Sequence, residues 1–498
     1  MFKTTITYQP ELVERLPKIL NNKEFKEYQN LIIRIADILK RTGMDLEFAR
    51  KYIETIRQKR AKQGIKRAMS AKQIQTLVRY AVKAYRCTII GILLRKPYRE
   101  LSILLGESAT LRQFCTVAKI GNEIKVPSKS SLQRFSRLFD EETLRNQINL
   151  LVTHASSKGN VLGLRNPFNV ENIFIDATCM KAHIHFPVDW VLMTDCMLTI
   201  IQAIIVIRKH GLKHRIPDPH GLISQINAMS MSITSASRNR CANKERKKCF
   251  RKIKKIAKVI RRHATRYVAL LKVERVEKTD LSEAEADYVL KRLERMIRLL
   301  PVACEQANTR IISGNLVENK KKLLSVYHDD VNVIKRGKAG GQIEFGNTLF
   351  LAEQADGIIV DWKLYRTDVK EPQATKETIN RLTDELEYDI KSITGDRGCQ
   401  SAYLDNQLNR KGIFNGLCPR SPLEFSERMK NDKFRLRQKR RAQTEGRIGI
   451  LKNAFLDGSL YERTFENKEI KIAWAVLTHN LWCLARLPME ENILENTA

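Results

Sequence analysis

Proline and glycine are scarce in this chain, 13 and 22 of 498 residues. No long flexible linker can be drawn from them, and no internal repeat is visible, so the chain reads as packed domains joined directly. The ten cysteines form no CxxC pair; Cys241 and Cys249, eight apart, are ordinary thiols rather than half of a zinc knuckle. Free thiols in this number point to a reducing, cytoplasmic compartment. Met1-Phe2-Lys3-Thr4-Thr5-Ile6-Thr7 carries no apolar signal core. The one long apolar run, Trp190 to Ile207, is interrupted by Asp195 and Gln202 and reads as a buried helix, with no membrane partner implied. GxxxxGK[ST] is absent, so Gly337 to Gly341 is no phosphate loop and no nucleotide cofactor is expected. Negative charge is scarce as well: 55 Asp+Glu against 89 Lys+Arg leaves a net +34.

Such an excess attracts a polyanion, and nucleic acid is the usual one, with a ribosomal or membrane-surface protein as the plainer reading. Long apolar-periodic segments set the chain apart from a mere basic tail. Residues 1–165 read as an all-α, DNA-binding N-terminal domain. Leu31, Ile32, Ile33, Ile35, Ile38 and Leu39 form one helical stripe, and Ile74, Leu77, Val78, Ala81, Val82 and Tyr85 another. Short helices follow at Tyr98 to Leu105, from Leu111, and from Val126-Pro127-Ser128, with Ser128 as N-cap. Short helices with tight turns fit a helix-turn-helix in which Lys129, Gln133 and Arg134 meet base or phosphate; a plain helical packing module fits the same pattern.

Residues 191–324 read as a large basic helical insertion. Ile253, Ile256, Val259, Ile260 and Tyr267 recur at helical spacing within a cationic run from Arg238 to Arg266. Lys247, Lys248, Arg251, Lys254 and Lys255 are its candidate phosphate contacts, against the plainer reading of a solvated face. Ser282 with Glu285 makes a capping box that opens a second helix, completing a helical hairpin.

Residues 170–190 and 325–487 read as an α/β core. Strands are expected at 172–178, 345–352, 357–365, 391–396 and 412–418, and helices at 372–388, 401–410, 436–455 and 470–487. This order fits an RNase H-like sheet whose first turn carries the insertion. Asp176 ends the apolar run Ile173-Phe174-Ile175, and Asp396 follows Ser392-Ile393-Thr394-Gly395. Glu445 lies on a helix, Arg441 four residues before it and Lys452 seven after, all within roughly 40° of one face. Two strand-end aspartates and a helical glutamate can hold two Mg²⁺ ions, with Mn²⁺ as a substitute, for phosphodiester chemistry. A turn aspartate and an i, i+4 salt bridge are the plainer readings. Arg437, Lys439 and Arg440, with Arg435, would face DNA backbone. His183 and His185 read as DNA-facing or structural, Asp189 as a support behind the ligands, and Cys399 as no nucleophile, lacking a nearby histidine.

The segment from Gln438 resembles the Y-x2-R-x3-E-x6-K signature of bacterial insertion-sequence transposases of the DDE type. Arg441, Glu445 and Lys452 match its R, E and K, while Gln438 replaces its tyrosine. Asp176-Ala177-Thr178 with Ile184 to Asp189 is similar to the family's first-aspartate block. Lys335 to Lys338 with Glu344-Phe345-Gly346 is similar to the stretch before its second strand, and Gly395-Asp396-Arg397-Gly398 to its second-aspartate block. Tyr98 to Leu101 and Pro127 to Phe135 resemble its DNA-binding half. The resemblance spans about residues 95 to 485. It implies an RNase H-like core and Mg²⁺ bound by Asp176, Asp396 and Glu445. It also implies double-stranded DNA in the nucleoid as the partner, cleavage at element ends, strand transfer into target DNA, and at least a homodimer while two ends are paired. A non-catalytic DNA-binding derivative and an RNase H-like nuclease are the rival readings.

Overall fold

The computed structural model describes residue 16 and residues 21–156, 161–236, 242–338 and 341–489. Met1 to Thr7, Cys241 and the first residues of the cationic run from Arg238 lie outside the described residues. The fold is mixed α/β and mostly helical. It divides into two compact units, Met1–Ala182 with Asn347–Ala498, and His183–Gly346.

Unit 1 begins with α1 (Lys23–Thr42), α2 (Met44–Lys62) and α3 (Ala71–Leu93). Asn22 caps α1 through the Phe25 N–H, and Gly43 ends it at φ +65°, a left-handed conformation that glycine adopts freely. Of the first stripe, Ile32, Ile35, Ile38 and Leu39 are buried, whereas Ile33 turns outward at 47% exposed. Then come α4 (Tyr98–Glu107), α5 (Ala109–Phe114), a short hairpin of β1 (Lys119–Ile120) and β2 (Glu123–Ile124), α6 (Lys129–Phe135) and α7 (Glu141–Ser156). Ser128 does cap α6, its Oγ accepting from the Ser131 N–H at 3.3 Å. The β1–β2 hairpin breaks up what reads in sequence as a purely helical region. Phe48 packs on Tyr85, Phe139 and Trp474, so these helices share one core with the C-terminal helix of the unit. Strand β3 (Asn172–Ala182) follows and runs four residues past its expected end.

Unit 2 packs α8 (Asp189–Lys209), α9 (Pro219–Ala236), α10 (Ala242–Lys278) and α11 (Glu283–Ala307) around a core of their own. Among the described residues, α8 is the one helix long and apolar enough to cross a membrane; 61% of its apolar stretch is buried inside the protein. The Ser282–Glu285 capping box is formed. Strand β4 (Asn332–Lys338) makes an antiparallel hairpin with the start of β5 (Gly341–Gln354).

The rest of β5 lies in unit 1, paired antiparallel with β6 (Ile359–Leu364). Next are α12 (Glu371–Asn380), β7 (Ser392–Gly395), α13 (Ala402–Arg410), β8 (Phe414–Leu417), α14 (Pro422–Arg428), α15 (Asp432–Ile450), β9 (Ser459–Leu460) and α16 (Phe465–Leu484). Wider π turns, Arg381–Glu385 and Leu451–Phe455, finish what read as single long helices. The strand order is β6-β5-β3-β7-β8, with β9 also on β3. The first strand of the sheet is therefore central: the chain builds outward on one side, then crosses to the other.

Candidate active site

Strands β3 and β7 run parallel, with Ile173 beside Ile393 and Phe174 beside Thr394. Counting on by two brings Asp176 level with Asp396. Level residues of parallel strands point to the same face, and neighbouring strands lie about 4.8 Å apart. Ile173, Phe174, Ile175 and Ile393 are all buried, so both faces of the sheet are covered just before the two aspartates. The two carboxylates thus come together where β7 ends, Asp396 just past its last residue; Asp176, expected at a strand end, instead lies inside β3, which continues to Ala182 alongside β9.

Burial pushes the Asp176 carboxyl up to about 6. The Ala177 N–H, donating to its Oδ1 at 2.8 Å, works against that rise; Asp396 and Glu445 add to it, and Arg441 opposes it. Asp176, Asp396, Glu445 and Arg441 therefore share one electrostatic neighbourhood. Asp396 is oriented by the Cys399 N–H, 3.1 Å from its Oδ1.

A fourth carboxylate stands here that the sequence pattern did not single out. Glu371 opens α12, and burial, then Asp396 and Asp176, push it up to about 7, with Arg420 opposing. Its carboxylate lies over the bare Cα of Gly398, in the space a side chain there would take. Donor atoms of Glu371, Asp396 and Cys399 lie within 4.8 Å of one another, a tighter group than the expected Asp176–Asp396–Glu445 set. The Cys399 thiol is buried and its pKa is raised, first by burial and then by Asp396; a protonated sulfur is a poor ligand for a hard cation. In sequence, Lys370-Glu371-Pro372 looks like an acid complementing a helix N-terminus, which hides the role.

Helix α15 brings Glu445 to the sheet through three anchors. Gln438 Nε2 donates to the carbonyls of Gly395 at 3.3 Å and Gly416 at 2.7 Å, tying the helix to the ends of β7 and β8. The residue that replaces the signature's tyrosine is thus bonded to the carbonyl just before Asp396. Glu353, on β5 and 4% exposed, accepts from Thr444 Oγ1 at 2.8 Å and from both Arg440 terminal nitrogens at 3.1 and 3.2 Å. Lys452, on the π turn, donates from Nζ to Thr178 Oγ1 at 3.1 Å and the Cys179 carbonyl at 2.7 Å. Its ammonium is bonded to β3, within three residues of Asp176.

Arg441 bridges Glu445 at 3.4 Å, with 23% and 59% of the two side chains exposed. Of the cations expected to face DNA, Arg435 pairs with Asp432 and Lys439 is exposed. Arg437 lies over the Phe414 ring at 5.6 Å. Arg440 is turned inward, bonded to Glu353 and stacked 4.5 Å over Phe174, because a buried carboxylate and an aromatic face compete successfully with solvent.

Lys129, Gln133 and Arg134 are exposed along α6. On α10, Lys248, Arg251 and Lys255 are exposed and Lys247 is half-buried, whereas Lys254 donates to Asn308 Oδ1 at 3.1 Å. Within unit 2, His185 Nε2 lies 2.8 Å from Asp195. Asp189 is buried and accepts from Gln306 at 2.9 Å and Arg310 at 3.0 Å. Both are engaged as structural partners inside that unit.

The donor set is chemically consistent with a divalent cation. Asp176, Asp396, Glu371 and Glu445 offer hard oxygens, and the Asp176 and Glu371 carboxyls are raised first by burial and then by the neighbouring acids. No match was found among protein families, curated proteins or solved structures.

Proposed function

We propose that this chain is a DDE-type transposase acting on double-stranded DNA, with an RNase H-like catalytic core. One observation carries the reading: Asp176, inside β3, and Asp396, just past the end of the parallel neighbour β7, come level when the register is carried on by two residues, and α15 brings Glu445 and Arg441 into their electrostatic neighbourhood. A central first strand, with an antiparallel pair on one side and parallel strands on the other, supports the RNase H-like part. The net charge of +34 supports a polyanionic substrate.

In this reading Asp176, Asp396 and Glu445, joined by Glu371, hold Mg²⁺ or Mn²⁺. Bound there, the metal lowers the cost of attack by oxygen on phosphorus and steadies the leaving oxygen. Arg441 orients Glu445 and offers a cation to a phosphate. Gln438 fixes the height of α15 over the strand ends, and Lys452 fixes its far end against β3. In the first step water attacks the phosphodiester at an element end, and the P–O bond to the 3′ oxygen breaks to leave a free 3′-hydroxyl. In the second, that hydroxyl attacks a target phosphate and displaces its 3′ oxygen. No enzyme-bound covalent intermediate is required. Pairing two ends calls for at least two copies of the chain in the working complex.

The test is a nicking and strand-transfer assay on labelled DNA carrying the genomic flanks of the coding sequence. Joined products are expected from the wild type with Mg²⁺, and neither with chelator nor from Glu445→Ala. DNA binding without any cutting by the wild type would instead mark a non-catalytic DNA-binding protein.

A further inference from the structure

Unit 1 holds a hollow of about 910 Å³ that shares no residue with the carboxylate cluster. Its floor is apolar, with Ile92, Leu101, Leu132, Ile470 and Trp474. Gly91 lies beside them, where an added Cβ would come within 3.0 Å of Leu101. Two tyrosines border it: Tyr98, whose hydroxyl meets Ser136 Oγ at 2.9 Å, and Tyr461, 58% exposed.

The rim is of another character. Seven Lys and Arg against two Asp and Glu line the hollow. Arg95, Lys96 and Arg99 come from the α3–α4 side, Lys129 and Arg137 from α6 and its exit, and Arg463 and Lys471 from the C-terminal side. One of the two acids, Asp457, is met by Arg95 at 3.5 Å. Both members of that pair have left-handed backbones, at φ +52° and +54°. Among the described residues only four non-glycine positions adopt this uncommon conformation, and two of them are this ion pair on the hollow's lining.

A cationic rim alone would suit any phosphate backbone. An apolar floor bordered by aromatic rings adds something a duplex cannot use, because its bases are stacked inside. Unpaired nucleotides can use both, with bases against the floor and rings and phosphates on the rim. We propose that this hollow binds a short unpaired stretch of nucleic acid. The inference goes beyond the catalytic reading and does not depend on it.

The test uses the full chain in chelator, so it is independent of catalysis. Fluorescence anisotropy would follow a labelled oligo-dT, competed by a duplex of equal length, by ATP and by inorganic phosphate. Arg99→Glu with Arg137→Glu, both exposed positions, is expected to weaken single-strand binding at least tenfold. Lys26→Glu with Lys59→Glu, the same charge change on exposed sites of α1 and α2, is expected to weaken it less than twofold. Tyr461→Ala is expected to weaken oligo-dT more than duplex. Equal losses in the two double variants would reduce the effect to overall charge and overturn the proposal. Duplex competing as well as single strand, or ATP displacing the oligonucleotide at equal concentration, would overturn it also.

Discussion

Helices α15 and α10 carry equally dense runs of arginine and lysine and use them in opposite ways. On α15 the sheet supplies partners: Glu353 takes Arg440, the Phe174 and Phe414 rings take Arg440 and Arg437, and Glu445 takes Arg441. On α10 the apolar side is buried, through Phe250, Ile253, Ala257, Ile260 and Tyr267, while Lys244, Lys248, Arg251, Lys252, Lys255 and Lys258 stay exposed. A run of positive charge is therefore an anchor where the fold offers a desolvated acceptor, and a free electrostatic surface where it does not. Mutating the first kind should change stability, and mutating the second should change binding.

The largest effect is expected at the anchor. Glu353→Ala strands the Arg440 guanidinium without its carboxylate and should cost about 3 kcal/mol in denaturant unfolding. Arg440→Met combined with Glu353→Gln, which removes both charges, should recover much of that loss. Failure of the double variant to recover it would break the pairing argument.

His479 tests the same inner layer by pH. It is 1% exposed, and burial, with Arg447 as a further charge, lowers its pKa to about 4 against the Asn480 hydrogen bond. The folded value lies below the unfolded one near 6.5. Its stabilising contribution is therefore fully present above about pH 6.5 and is lost as pH falls towards 4, up to about 3 kcal/mol. Raised carboxyls elsewhere titrate in the opposite sense, so the check is the difference in unfolding free energy between wild type and His479→Phe. That difference should slope with pH between 6.5 and 4 and be flat above. A flat line throughout would sink the assignment.

Gln438→Ala removes two hydrogen bonds that hold α15 to the strand ends and should cost about 1–2 kcal/mol. It should lower strand cleavage far more than DNA affinity, since it moves Glu445 and leaves the exposed cations alone. The smallest stability effect is expected on the other helix. Arg251→Ala with Lys255→Ala should change unfolding by less than about 0.5 kcal/mol. It should also weaken DNA binding and reduce its salt-dependence slope by about 2. A large loss of stability there, without a change in slope, would erase the contrast between the two helices.

Much of this arrangement is legible in the chain. The apolar runs before Asp176 and Asp396 announce buried strands; β7 does end at its carboxylate, whereas β3 runs on past Asp176 to Ala182. The spacing of Arg441, Glu445 and Lys452 places them along one helix surface, although Lys452 reaches its bond partners from a π turn rather than a regular one. What local pattern does not carry is long-range pairing. Nothing near Arg440 in sequence indicates that Glu353, 87 residues away, will draw it inward. Nothing near Glu371 indicates that its carboxylate will rest above Gly398, because an acid opening a helix is commonplace. Charge runs show sign and density; their direction is decided by the tertiary neighbours.

Gly398 decides how many acids meet at the cluster. It bears no charge and touches no substrate atom in the proposed chemistry, yet the bareness of its Cα is what admits the Glu371 carboxylate beside Asp396. A single methyl there would turn a pocket of four acids into one of three while leaving every acid in the sequence. Any census of ionisable residues would record no change. The electrical character of the pocket is thus encoded partly in a vacancy, and a variant at that neutral position would behave as if a distant glutamate had been deleted.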